Sequence, residues 1–74
     1  MSAGLSSTIR LAIRTLPENF DGSRVLTVIE TIEQELYESG VYASATADRM
    51  TIEITVQTGQ LLDAAKVLNE LELI

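Results

Sequence analysis

The chain has no cysteine, no histidine and no tryptophan, one proline, and only five cationic side chains. Each absence removes a class of chemistry. Without cysteine there is neither a disulfide staple nor a thiolate metal site. Without histidine the commonest general base, the commonest metal ligand and the side chain that titrates near neutral pH are missing. Ser–His and Cys–His activation of a nucleophile are out of reach, so the chain is expected not to be an enzyme and to hold no cofactor or metal. Aromatic residues make up 4% of the sequence. A nucleic-acid surface built on base stacking needs several of them beside cations. Five cations against eleven acids leave a net charge of −6, which opposes direct nucleic-acid binding by phosphate neutralisation. No apolar run approaches the about 20 residues of a membrane span. The opening MSAGLSS lacks the charged and apolar regions of a secretion signal. A cytoplasmic protein without membrane contact is the expectation.

Two familiar motifs are also missing. Gly22 and Gly59 each precede a helical pattern, but neither has the spacing of a phosphate-cradling loop. The run Glu18-Asn19-Phe20-Asp21-Gly22 superficially suggests calcium, yet it lacks the alternating oxygen ligands and closing Glu of an EF-hand loop.

What is present is organised around residues 22–40, GSRVLTVIETIEQELYESG. Val25, Val28, Ile29, Ile32 and Leu36 follow the i, i+3, i+4, i+7 spacing of one helix face. Asp21 or Ser23 is placed to cap the start by accepting from a free backbone N–H, and Gly40 falls where a left-handed cap would end it. One apolar stripe needs a partner layer. The solvent side carries Glu30, Glu33, Glu35 and Glu38 with no cation among them. Like-charge i, i+3 pairs there cost a few tenths of a kcal/mol each, by a rough estimate. They read as a solvated face or as an acidic surface kept for a basic partner. An acid–base pair among Glu30, Glu33 and Glu38 is disfavoured, since nothing on an exposed helix face would separate their pKa values.

The flanking segments alternate with period 2, the mark of half-buried strands. In residues 8–16, Ile9, Leu11 and Ile13 point one way and Arg10, Ala12 and Arg14 the other, until Pro17 ends the pattern. Residues 41–46 alternate in the same way. Ala47-Asp48-Arg49 is a candidate tight turn in which Asp48 bonds local backbone. Met50, Ile52, Ile54 and Val56 then define the clearest strand, rich in β-branched residues. Thr58 is placed to cap a second helix with Leu61, Ala64, Ala65, Leu68 and Leu71 on its apolar face. Residues 71–74, LELI, fit either a last helical turn or a short fourth strand.

The expected organisation is a flexible N-terminus over residues 1–7 and a single α+β domain over 8–74. At 74 residues it is near the lower size limit for independent folding. A right-handed crossover makes the first two strands parallel, and the third fits between them. The order predicts a small ferredoxin-like βαββα(β) plait, with a three- to four-stranded antiparallel or mixed sheet and two helices on one face. Without the fourth strand the first is an open edge that invites a partner strand.

No motif ties the chain to a family, and a plait alone does not specify function. The leading expectation is a non-enzymatic interaction module that self-associates as a homodimer or docks a protein partner. Its candidate contact residues are Arg10, Arg14, Glu30, Glu33, Glu38, Tyr42 and Glu53. Arg10 or Arg14 could pair with Glu53 across strands or fork a partner's carboxylate or phosphate. A second reading is a small-ligand regulatory domain with its site at a dimer junction, where residues 16–23 offer backbone donors to a carboxylate. A third is an acidic inhibitor that mimics nucleic acid.

Overall fold

A computed structural model describes residues 5–74; residues 1–4, part of the expected flexible N-terminus, lie outside it. The elements run β1 (Ser6–Ala12), α1 (Val25–Glu38), β2 (Ala43–Ala47), β3 (Thr51–Gln57) and α2 (Leu61–Glu70), with 3-10 turns at Ile13–Thr15 and Thr58–Gln60. The sheet has three strands in the order β1-β3-β2, and both neighbouring pairs are antiparallel. The predicted α+β class and the central place of the third strand are therefore observed. Strand β1 starts two residues before the alternation predicted, because Ser6 and Ser7 pair with Gln57 and Val56.

The period-2 pattern sorts the two faces of the sheet. Ile52, Ile54 and Val56 are buried on one face with Leu11, while Thr8, Arg10, Ser44, Thr46 and Thr55 lie exposed on the other. Val28, Ile29, Ile32 and Leu36 of α1 and Ala64, Val67 and Leu68 of α2 join the same core. Both helices thus cover a single face. Apart from Phe20 the core is aliphatic, as the scarcity of aromatics required, and among the described residues it encloses no polar side chain. Among them, too, no helix is long and apolar enough to cross a membrane.

Several local expectations are corrected. Helix α1 begins at Val25, and neither Asp21 nor Ser23 caps it. Instead Asp21 Oδ1 accepts from the Ser23 hydroxyl at 2.6 Å and from the Ser23 N–H at 2.9 Å, making a turn one step before the helix. The short reach of an Asp side chain suits that local bond. Thr58 does not cap α2 either: its hydroxyl lies 2.8 Å from Ser7 Oγ, tying the lead-in of α2 to β1. Met50 is 69% exposed rather than a core residue, since β3 begins after it at the hairpin tip.

Residues 71–74 form neither a helical turn nor a fourth strand. Leu73 N–H donates to Leu68 O and Glu72 N–H to Asn69 O, while Glu72 takes a left-handed φ of 62°. These bonds close the C-terminus of α2 as a left-handed cap. Among the described residues no strand covers β1 on its far side.

The β2–β3 hairpin turns on Asp48, as predicted. Its Oδ1 accepts from Met50 N–H at 2.9 Å and Thr51 N–H at 2.8 Å. Those two bonds, Met50 first, hold the carboxyl below its ordinary value of 3.8. A folded-state pKa below the unfolded one contributes stability that is complete above the unfolded value and disappears as pH falls through the folded one. Asp48→Ala is expected to lower Tm at pH 6 by more than at pH 3. Acidification also relieves self-repulsion in so acidic a chain, so the readout is the gap between wild type and variant. A gap that does not narrow on acidification would remove the turn carboxylate as its cause.

Candidate functional site

The antiparallel ladder decides which backbone groups remain free. Leu5 O accepts from Thr58 N–H and Ile13 N–H donates to Met50 O. Antiparallel partners alternate between hydrogen-bonded and non-bonded pairs, so the odd residues of β1 bond β3. Ser6, Thr8, Arg10 and Ala12 therefore turn their N–H and C=O groups outward. Ala12 O is taken by Thr15 Oγ1 at 3.0 Å. Among the described residues the free stretch of edge is thus Ser6 to Arg10.

The opposite edge is handled differently. Asp48 N–H donates to Thr51 O, so the even residues of β2 face β3 and Ala43, Ala45 and Ala47 face outward. There Glu33 Oε2 accepts from Ala45 N–H at 2.9 Å. Helix α1 is close enough for this because β2 presents only Ala43 and Ala45 to it. Glu33 was expected on the solvated acidic face; instead it is half-buried and takes one edge N–H of β2. Glu33→Ala is expected to speed amide exchange at Ala45 at least tenfold and to cost about 1 kcal/mol, the net worth of a hydrogen bond to a charged group that is only half-buried. Unchanged exchange at Ala45 would mean that the carboxylate does not guard this edge.

The other predicted site residues separate. Arg10 stands directly opposite Glu53 in register, and its Nε donates to Glu53 Oε2 at 2.9 Å. Both are solvent-accessible, so the pair contributes about 0–1 kcal/mol, and among the described strand residues it neutralises the only charges on the outer sheet face. Arg14 does not join them. It sits in the 3-10 turn after β1 and lines a cleft of about 460 Å³ with Ile13, Met50 and Arg49, a residue the sequence reading had not singled out. Register could have found that neighbour, since the position after Ile13 faces the one before Met50. Glu30 and Glu38 remain on the exposed face of α1, where Glu38 accepts from Gln34 Nε2 at 2.9 Å.

Tyr42 stands at the start of β2, its ring edge-on to Tyr37 with centroids 6.1 Å apart. With Glu30, Glu33, Gln34 and Val41 the two rings line a cleft of about 440 Å³. Gln60 clamps this corner from below: its Oε1 accepts from Tyr42 N–H and its Nε2 donates to Gly40 O. Sequence reasoning missed Gln60, because the clamp depends on a turn contact that spacing does not encode.

Part of the donor set in the loop expected to hold a ligand carboxylate is already used. Phe20 N–H is bonded to Pro17 O, Arg24 N–H to Asp21 O, and Ser23 N–H to the Asp21 carboxylate. The Ser23 hydroxyl and N–H also hold the Asp21 carboxyl below its ordinary value, so a negative charge already occupies the turn.

No protein-family model matches this chain, and neither a curated protein nor a solved structure matches it.

Proposed function

We propose that this chain is a non-enzymatic interaction module that works by accepting an extended strand along β1. One observation carries the reading: of the two sheet edges, β2 has its central outward N–H, at Ala45, taken by Glu33, whereas among the described residues β1 is unbonded from Ser6 to Arg10. Strand addition suits such an edge, because main-chain bonds supply affinity and alternate side chains supply selectivity. Proteins commonly protect long free edges with charge, proline or a covering element, and β1 carries only Arg10, already paired with Glu53. A ferredoxin-like plait completed by a strand from outside fits this arrangement, with the added strand lying beside β1. The ligand reading is weaker for an anion, since the Asp21 carboxylate already occupies the turn and takes the Ser23 N–H and hydroxyl.

Amide hydrogen exchange tests the proposal. Thr8 and Arg10 N–H groups should exchange rapidly in dilute protein. They should gain protection at high protein concentration or with a panel of extended, β-branched peptides, while Ala43 and Ala47 on the other edge do not. If neither condition protects Thr8 and Arg10, the edge is not the working surface.

A further inference from the structure

We infer that the strand added at β1 is the β1 of a second copy, antiparallel and centred on Thr8. This rests on the edge reading above and specifies its partner. The free stretch runs from Ser6 to Arg10 because the Thr15 hydroxyl and the following 3-10 turn close the edge at Ala12. A stretch that pairs antiparallel with its own copy about its middle places Thr8 against Thr8 and Ser6 against Arg10. All are outward-facing residues, so each pair exchanges its N–H and C=O groups.

Charge selects this flank for a contact between like molecules. Each copy carries −6, and two copies repel wherever their acids meet. Glu30, Glu35 and Glu38 occupy α1, and Asp63 and Glu70 occupy α2. By contrast the first carboxylate in the chain is Glu18, so all of β1 is free of acids. Its one cation, Arg10, is neutralised by Glu53 of its own sheet. The register centred on Thr8 keeps the two Arg10 residues four positions apart along the strand, about 13 Å at the rise of a β-strand. That exceeds the screening length of about 8 Å at physiological salt. A register centred on Arg10 would set the guanidinium groups face to face, which is unfavourable.

The same flank carries apolar surface that a copy would cover. Leu5, next to the first residue of β1, is 77% exposed. Leu5 O holds Thr58 N–H, and Thr58 opens the turn that leads into α2. Asp63, Val67 and Glu70 line a cleft with Ser39 from the end of α1, so that side of α2 faces α1. Half-buried Leu61 and Ala65 fall on the other side of the buried Ala64, Val67 and Leu68 stripe. In the Thr8-centred register Leu5 of each copy lies opposite Leu11 of the other. The product is a continuous sheet in the order β2-β3-β1-β1-β3-β2, with three strands from each copy. Its two outer edges are then both β2 edges, where Glu33 already takes the central N–H at Ala45.

Molar mass by light scattering across a concentration series, together with two substitutions at Thr8, tests this. Thr8 N–H points away from β3, so Thr8→Pro removes an edge donor without removing a bond of the β1–β3 ladder. The expected result is a wild-type dimer and a Thr8→Pro monomer with unchanged circular dichroism. Because the chain has no cysteine, Thr8→Cys offers a single thiol. Opposed Cα atoms about 5.5 Å apart in a hydrogen-bonded pair lie within disulfide reach, so the oxidised variant should run as a covalent dimer. Thr55→Cys, one strand further in, should not. If Thr8→Pro fails to fold, the cysteine pair decides. A wild type that stays monomeric to millimolar concentration overturns self-pairing, and peptide protection of Thr8 and Arg10 would then leave the edge reading standing. A dimer that survives Thr8→Pro, with Thr8 and Arg10 unprotected, overturns both.

Discussion

Ile54→Ala is expected to cost about 2–5 kcal/mol, the usual range for removing a fully buried Ile side chain to Cβ. At about 0.05–0.15 kcal/mol per residue, a chain of 74 residues is stable by only about 4–11 kcal/mol in all. The loss is therefore at least about a fifth of the total and at the upper end all of it. Ile54 has no solvent exposure and sits at the middle of the central strand, opposite Ile9 on one side and Ala45 on the other. Its neighbours offer little repair. Ala45 is too small to fill the space, and Ile32, Leu36 and Leu68 are themselves fully enclosed. With a urea m-value near 1 kcal/mol/M, typical of the smallest domains, the midpoint should fall by about 2–5 M at fixed protein concentration. Ile54→Val, which removes one methyl group, should cost only about 0.5–1.5 kcal/mol. If Ile54→Ala costs under 1 kcal/mol, the helices do not pack on β3 as described.

The centre of this fold was legible because burial and periodicity coincide there. The stripe Val28, Ile29, Ile32, Leu36 and the alternation Ile52, Ile54, Val56 each fit one secondary structure and one buried face, and the structure places both in one core. The ends were less legible. Thr58 has the chemistry of a helix cap, but a Ser7 hydroxyl brought close by strand pairing uses it instead. Met50 continues the period of β3, yet the hairpin turns just before Thr51 and leaves it in solvent. In both cases a local preference yields to a contact made at long range, and spacing carries no record of such contacts.

The candidate surface shows the same division. The free edge of β1 follows from element order once residues 71–74 are not a strand. What the sequence hides is the asymmetry between the two edges. Glu33 reads as one of four equivalent helix acids until the small side chains of β2 bring α1 within reach of Ala45 N–H. Arg10 and Arg14 likewise look equivalent by alternation. The 3-10 turn at Ile13–Thr15 separates them, giving Arg10 to Glu53 and Arg14 to the hairpin tip.

The two helix ends supply a matched pair of predictions with opposite signs. Both helices close with the same left-handed cap. In α1, Val41 N–H donates to Leu36 O and Gly40 N–H to Tyr37 O, with Gly40 at φ 81°. In α2, Leu73 and Glu72 make the corresponding bonds, with Glu72 at φ 62°. Left-handed backbone costs a residue with a Cβ about 1–2 kcal/mol, and glycine avoids that cost. A Cβ at Gly40 would meet nothing within 4 Å, so Gly40→Ala isolates the backbone contribution from any clash. It should destabilise by about 1 kcal/mol, a drop of about 4–8 °C in Tm for a domain of this size. Glu72→Gly should raise Tm by a similar or smaller amount, since it removes the strain while the greater freedom of glycine in the unfolded chain offsets part of the gain. It also removes one acid from a chain with eleven. Glu72→Gln serves as the control, because it removes the charge and keeps the Cβ. If Glu72→Gln stabilises as much as Glu72→Gly, the benefit is electrostatic and the C-terminus of α2 is not strained. If only the glycine variant gains, the backbone at residue 72 is held left-handed by the two cap bonds and by Leu73, which packs partly buried against the core just after the turn.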